Sequence, residues 1–275
     1  DIPATDMGTN SKIMDWMVDA YQKKGKIHTN SVFTGKSLEC GGSKGRTEAT
    51  GFGVVECIKH WSHKKNFDLC GKTYIIQGFG NVGSNTSILL SRLGMICIGV
   101  ADHTRCLKSS EGFNVYKLKE HVKKNKTLQD YDSGEEIDKK TFFSIECDIV
   151  IPAAKELEIC GDDAKDLKCR VIVEAANGPL DLEAEKICYN KNIDIIPDIL
   201  ANSGGVVVSY YEWLQNKRCE YWTKKEVLEK LELRMEETFN LVYEKSKTEE
   251  MSMRNACYII AIQKIAEKIK RRKLF

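Results

Sequence analysis

An α/β fold built on a doubly wound, mostly parallel sheet is what this 275-residue sequence predicts. Three observations predict it. Short, continuously apolar runs alternate with segments of helical periodicity, the pattern of strands covered on both faces. One such run, 72–77, passes through Gly78-Phe79-Gly80-Asn81-Val82-Gly83 into a periodic segment, 82–93, so strand, glycine turn and helix follow in order. The next apolar run, 95–101, ends on an acidic residue, Asp102, about 20 positions beyond the turn.

The elements read as follows. Residues 10–24 form a helix capped by Asn10 or Ser11, with Ile13, Trp16, Met17 and Ala20 on one apolar face. Glycines at 25, 35, 41, 42 and 45 mark a loop-rich stretch. A helix begins near Thr47 with Val54, Val55, Ile58 and Trp61 as its stripe. Strand 72–77, helix 82–93 and strand 95–101 come next. Residues 103–144 are polar and mixed, with one helix near 115–124 and otherwise irregular turns. Buried strands follow at 147–152, 168–174 and 193–196, with a helix over 182–190 between the last two. Beyond Ser203-Gly204-Gly205 the pattern is helical: 206–214 is very apolar, and 224–246 and 253–273 are amphipathic. There is no internal repeat.

The net charge of +2 gives no field that would draw nucleic acid. The densest basic run, Lys268 to Lys273, reads as a solvated helix end. No apolar run reaches the ~20 residues of a membrane span, and no signal peptide is expected from the residues given. The sequence starts with Asp1 rather than Met, which predicts a processed chain or a piece of a longer one. The 11 cysteines are odd in number and form no Cys-x-x-Cys pair. Neither a disulfide framework nor a zinc site is expected, and a reducing compartment is. His60 and His63 lack a third ligand nearby and read as surface residues.

The glycine turn carries the clearest chemistry. Gly78 permits the tight turn, Gly80 clears the approach of a diphosphate to the main chain, and Gly83 allows close packing of helix on strand. The helix start offers free N–H groups and a partial positive charge to that diphosphate, and Asp102 would accept from a ribose 2′-OH. These features predict dinucleotide binding on a Rossmann-like sheet. Five further segments have two readings each. Gly41 to Gly51 places Arg46, Thr47 and Thr50 at a helix start, as an anion site or as a structural turn. Asn177, after a buried strand, is a cofactor ligand or an Asn-Gly turn residue. Ala153 and Ala154 leave room for a flat ring or simply turn the chain. Asn202 precedes an apolar helix in the same way, and Ser209, one turn in, faces a carboxylate or bonds back to its own helix. Asp6 is a proton-transfer carboxylate or a turn residue.

Taken together, these motifs resemble the hexameric glutamate dehydrogenases of the Glu/Leu/Phe/Val dehydrogenase family. The resemblance runs the whole length, through Asp1 to Thr9, Thr34-Gly35-Lys36, Gly41 to Gly53, Gln77 to Gly83, Asp148 to Ala154, Glu174 to Pro179, Pro197 to Gly205 and Val208 to Trp213. It implies that Asp6 shuttles protons and that Arg46 and Thr50 lie near the nicotinamide. It places Gly78, Phe79, Gly80, Asn81 and Val82 at the diphosphate turn, with Asp102 at the adenosine ribose and Ala153 and Ala154 beside the cofactor. Asn177 and Asn202 fall around the nicotinamide and its ribose, and Ser209 at the substrate's distal carboxylate. The implied reaction is reversible deamination of L-glutamate to 2-oxoglutarate and ammonium, in a homohexamer, without nucleic acid or membrane, in cytosol or mitochondrial matrix.

Asp102 favours NAD by charge, while His103, Arg105 and Lys108 keep NADP open. Residues 1–45 match the closing strip of a substrate domain, 46–205 the coenzyme domain, and 206–275 helices that return toward the substrate domain. Family members carry a lysine-bearing, glycine-rich segment before the point matching Asp1. Two rival readings are a branched-chain or aromatic amino-acid dehydrogenase, in which an apolar residue would replace Ser209, and a non-catalytic dinucleotide module. The family's lysines clamp the substrate, and such positioning is worth ~7–11 kcal/mol of barrier. The 275-residue chain is therefore expected to bind dinucleotide with negligible turnover; measurable deamination by the purified chain would contradict this.

Overall fold

The computed structural model describes residues 1–6, 8–25 and 28–272, so Met7 and the last residue of the basic run, Lys273, lie outside the described residues. The strands are β1 (Thr73–Gln77), β2 (Ile96–Ala101), β3 (Cys106–Lys108), β4 (Glu135–Ile137), β5 (Ile149–Pro152), β6 (Val171–Val173) and β7 (Asp194–Ile196). Among the described residues they form a seven-stranded sheet in the order β4-β3-β2-β1-β5-β6-β7. Strands β2, β1, β5, β6 and β7 are mutually parallel, and β3 and β4 extend the β2 edge as an antiparallel pair. The helices are α1 (Ser11–Gly25), α2 (Ala49–Lys64), α3 (Asn81–Arg92), α4 (Val115–Asn125), α5 (Lys139–Phe143), α6 (Gly161–Asp166), α7 (Leu182–Asn190), α8 (Asp198–Ala201), α9 (Gly204–Arg218), α10 (Lys224–Thr248) and α11 (Met253–Arg271).

Side chains alternate across a strand, and here both faces are buried. Tyr74, Ile76, Ile149, Ile151, Val171 and Val173 point into one core with α2, α3, α9 and α10. Their neighbours Ile75, Val150 and Ile172 point into a second core with Phe142, Phe143, Ala164 and Cys188 from α5, α6 and α7. That is why these strands read as unbroken apolar runs rather than as alternating ones. The sheet is the Rossmann-like α/β architecture the sequence predicts. Its strand order reverses between β1 and β5, the switch point at which ligands enter open α/β sheets.

Three expectations are corrected. The stretch 103–144 is not merely turns around α4; it also holds β3, β4 and α5. Three-residue strands are too short to display a period, and their pairing, Cys106 with Ile137, spans a loop that sequence does not close. Helix α1 buries Met14 and Val18, while Trp16 stays 60% exposed and Met17 and Ala20 also face outward, so the packed face is rotated from Ile13-Trp16-Met17-Ala20. His60 is not a surface residue: its ring is half-buried against Phe239 of α10. His63 is exposed, and no metal-holding group of side chains occurs among the described residues. All 11 thiols are free, and no described helix is long and apolar enough to cross a membrane.

The N-terminal strip is fastened by one buried carboxylate. Glu212 of α9 accepts from the main-chain N–H of Gly35 at 3.0 Å and of Lys36 at 3.3 Å, and from Lys36 Nζ at 2.6 Å. Both side chains are fully buried, and Lys36 Nζ also donates to the Phe33 carbonyl at 2.6 Å. Removing one partner of such a pair leaves an uncompensated buried charge. Lys36→Met is therefore expected to destabilise the chain by about 3–5 kcal/mol. Adding Glu212→Gln, which keeps an acceptor for the two N–H groups, is expected to recover at least half of the loss. Urea denaturation of the single and double variants measures both; equal loss in the two would contradict the account.

Candidate active site

The glycine turn joins the end of β1 to the start of α3. Gly83 sits so close to the strand that a β-carbon there would lie 1.9 Å from the Gly78 carbonyl oxygen. Gly78 has φ +92°, and a β-carbon on it would meet the Ala153 carbonyl at 2.6 Å. Both are glycines because the protein's own backbone fills the space. Gly80 differs. Its φ is −75°, open to any residue, and a β-carbon there would meet no protein atom within 4 Å. The fold does not require a glycine at 80; a ligand lying on the turn would.

The first main-chain bond of α3 runs from Ser84 N–H to the Gly80 carbonyl at 3.0 Å. Asn81, Val82 and Gly83 thus offer N–H groups without an acceptor inside the helix. Phe79 and Val82 turn their side chains into the core, so only their main chain is available to a ligand. Beside the turn lies a cavity of about 760 Å³, within the ~300–1,000 Å³ range of small-molecule sites. Gly78, Phe79, Gly80, Asp102, Ala153 and Ala154 line it. These residues fit a dinucleotide: a bare turn, free amides and an acid at one rim.

Asp102 is more committed than its position in the sequence suggests. Its Oδ1 accepts from Thr104 N, Thr104 Oγ1 and Arg105 N, and its Oδ2 accepts from Leu128 N at 2.6 Å. Burial pushes its pKa up, but those bonds outweigh burial and leave it below the usual carboxylate value. One lone-pair direction on Oδ2 remains for a further donor.

A second group forms where α2 and α9 meet. Gly204 lies against the Ala49 carbonyl and Gly53, so the two helices cross nearly in backbone contact. This brings Arg46 Nε to 3.0 Å from Ser209 Oγ, to which it donates. A β-carbon on Gly205 would meet Thr50 Oγ1 at 2.5 Å and a terminal nitrogen of Arg46 at 3.5 Å. Burial lowers the Arg46 pKa from its ordinary value, and the charge of Glu212 partly restores it. A third group pairs two amides: Asn202 Nδ2 donates to Asn177 Oδ1 at 2.7 Å. Asn81 Nδ2 donates to the Thr47 carbonyl at 2.8 Å and ties the glycine turn to the start of α2.

A family model described as Glutamate/Leucine/Phenylalanine/Valine dehydrogenase matches residues 41–273. The chain belongs to this family. It is 40% identical to the NAD-specific glutamate dehydrogenase of Staphylococcus aureus over 267 residues, 97% of this chain and 64% of that protein. It superposes on the glutamate dehydrogenase of Peptoniphilus asaccharolyticus with a TM-score of 0.86 at 36% identity, covering all of this chain and 66% of that one. On the hetero-hexameric glutamate dehydrogenase of Thermus thermophilus the TM-score is 0.93 at 28% identity, covering 99% of this chain and 64% of that one. The chain thus spans about two thirds of the length of the family members it matches.

Within this family member, an arginine that sequence reasoning missed holds the Asn177 loop. Arg254 of α11 contacts Glu174 at 2.6 Å, Asp198 at 2.7 Å and Glu185 at 2.6 Å. Asp198 in turn accepts from Gly178 N at 2.8 Å and gives its own N–H to Glu174 at 2.8 Å. The clue in the sequence was Glu174, a carboxylate directly after the buried Val171–Val173 run, which needs a partner. That partner is 80 residues away. Asp6 is exposed and its main chain closes a turn with Thr9. Its neighbour Thr5 packs on Gly35, whose N–H reaches Glu212, one helical turn beyond Ser209. Asp6 does not line the cavity beside the turn.

Glu174 is fully buried, and one guanidinium is shared among three carboxylates. Burial raises the Glu174 pKa to about 7, against the opposing pull of Arg254. The folded state therefore holds this proton more tightly than the unfolded chain does. Its contribution to stability is present below about pH 4.5 and is lost as the pH rises to about 7. Glu174→Gln removes that titration, so the stability difference, wild type minus variant, should fall between pH 5 and 7. Unfolding curves across that range measure it, and parallel pH profiles would contradict the assignment.

Proposed function

We propose that this chain supplies the coenzyme-binding part of a NAD-dependent glutamate dehydrogenase, which reversibly converts L-glutamate to 2-oxoglutarate and ammonium. The observation that carries the reading is Gly80. It is a residue the fold leaves free to bear a side chain, at a helix start facing a cavity, inside a chain whose relatives include enzymes named NAD-specific glutamate dehydrogenases. When bound, the coenzyme would supply the hydride acceptor for the substrate α-carbon.

The chain's own residues do the rest. The amides of Asn81, Val82 and Gly83 receive the diphosphate, and the helix dipole adds to them. The spare acceptor of Asp102 receives a ribose hydroxyl, and its charge opposes a 2′-phosphate. Ala153 and Ala154 leave the space beside the turn clear. Asn177 and Asn202, already paired, present their remaining amide donors and acceptors at the nicotinamide end. Ser209 has its oxygen fixed by Arg46 and binds the distal carboxylate of glutamate; the polar pair favours glutamate over an apolar side chain. Asp6 carries protons between substrate nitrogen and water, once the strip held by Glu212 closes the cleft and limits water.

Residues 1–45, 46–205 and 206–275 act in this reading as closing strip, coenzyme domain and returning helices, and the working assembly is a homohexamer. The test is coenzyme binding to the 275-residue chain, followed by the quenching or enhancement of NADH fluorescence. Gly80→Val is expected to fold, at a cap cost of about 1 kcal/mol, and to weaken NADH binding roughly 100-fold, or about 2.7 kcal/mol. Unchanged affinity in a folded Gly80→Val chain would overturn the proposal.

A further inference from the structure

The rim of the cavity holds an ion pair that the reading above does not use. Arg105 follows the turn closed by Asp102, one residue before β3, and its main-chain N–H donates to Asp102 Oδ1 at 3.1 Å. Its guanidinium turns away from that carboxylate. Nε donates to Glu136 Oε2 at 2.9 Å, and a terminal nitrogen lies 2.7 Å from the same oxygen. The other terminal nitrogen donates to the Tyr131 carbonyl at 3.1 Å. Glu136 sits in β4, opposite Leu107 of β3, so the antiparallel pair itself carries the carboxylate to the arginine. Arg105, Glu136 and Asp102 all line the cavity.

Two other cations of that cavity are similarly paired: Lys139 Nζ lies 2.8 Å and Lys155 Nζ 3.5 Å from Glu158. Lys126 donates only to the Lys123 carbonyl, at 3.1 Å, and keeps its charge. Glu158 is itself buried and accepts from Gln77 at 2.7 Å. A 2′-phosphate near Asp102 would therefore meet one carboxylate directly, with the nearest guanidinium already neutralised by another. An arginine at this rim is the ordinary means of accepting that phosphate, provided its charge is free.

We propose that Glu136 is a specificity-determining residue: by holding Arg105 in an ion pair it withholds the guanidinium from a 2′-phosphate and makes the site select the unphosphorylated dinucleotide. This rests on the coenzyme reading above and adds to it. The acid after β2 sets the preference by repulsion, and β4 sustains it by occupying the Arg105 guanidinium at the cavity rim. The selection is then a property of the β3–β4 pair, the part of the sheet that the sequence pattern does not disclose.

The experiment is a fluorescence titration of NADH and NADPH into the 275-residue chain and three variants, Glu136→Gln, Arg105→Gln and the double variant. Glu136→Gln is expected to raise the NADPH-to-NADH affinity ratio about tenfold, or about 1.4 kcal/mol, with the gain shrinking as salt is added. Adding Arg105→Gln should return the ratio to within about twofold of wild type, because the gain requires the released guanidinium. Arg105→Gln alone should leave the ratio near that of wild type. An unchanged ratio in Glu136→Gln, or a gain that survives Arg105→Gln, overturns the inference while NADH binding by the wild type upholds the coenzyme reading. Wild-type protein that binds neither nucleotide overturns both.

Discussion

Helix α3 begins where it does because residue 83 has no side chain. With the Gly78 carbonyl 1.9 Å from where a β-carbon would be, any other residue would push the helix off the end of β1. That contact draws the helix start to the carboxyl edge of the sheet, at the point where β2 lies on one side of β1 and β5 on the other. Gly78 then turns tightly against Ala153, which brings the loops after β1 and β5 together. Free amides, the cavity and the Asp102 turn all share this edge as a consequence. The same approach recurs where α2 crosses α9 at Gly53 and Gly204, and it is what allows Arg46 to reach Ser209.

Buried and half-buried carboxylates tie down the loops around this edge. Glu212 gathers two main-chain N–H groups and a lysine, and so fixes the N-terminal strip to α9. Glu174 and Asp198, clamped by Arg254, fix the loop that carries Asn177. Asp102 stitches its own turn and the start of the 128 loop. Buried ion pairs add little net stability, because desolvation offsets their attraction. They do penalise misplacement heavily, since a shifted loop would leave a charge unpaired. Near a site that must align two flexible molecules, such penalties hold the geometry.

Much of this was legible in the sequence. The five parallel strands announced themselves because both of their faces are buried, and α2, α3, α7 and α9 to α11 because their apolar periods are long. The glycine turn was readable because each glycine has a local cause. Strands β3 and β4 were not, since three residues cannot show a period and their partner lies across a loop. In α1 the apolar spacing did not disclose that Met14 and Val18, rather than Trp16, are the residues packed on this chain. Among the site residues, Arg46 and Ser209, and Asn177 and Asn202, come together as pairs separated by 163 and 25 positions. The partners of Glu174, Glu212 and Arg105 escaped because charge pairing at a distance leaves no pattern along the chain.

The central claim is that a nicotinamide dinucleotide rests its diphosphate on the amides at the start of α3. Hydrogen exchange of the 275-residue chain with and without saturating NAD reads those amides directly. The account predicts new protection at Asn81, Val82 and Gly83, with no comparable change in the amides of α10. Protection confined to other surfaces, or none at these three residues under saturating coenzyme, would contradict it.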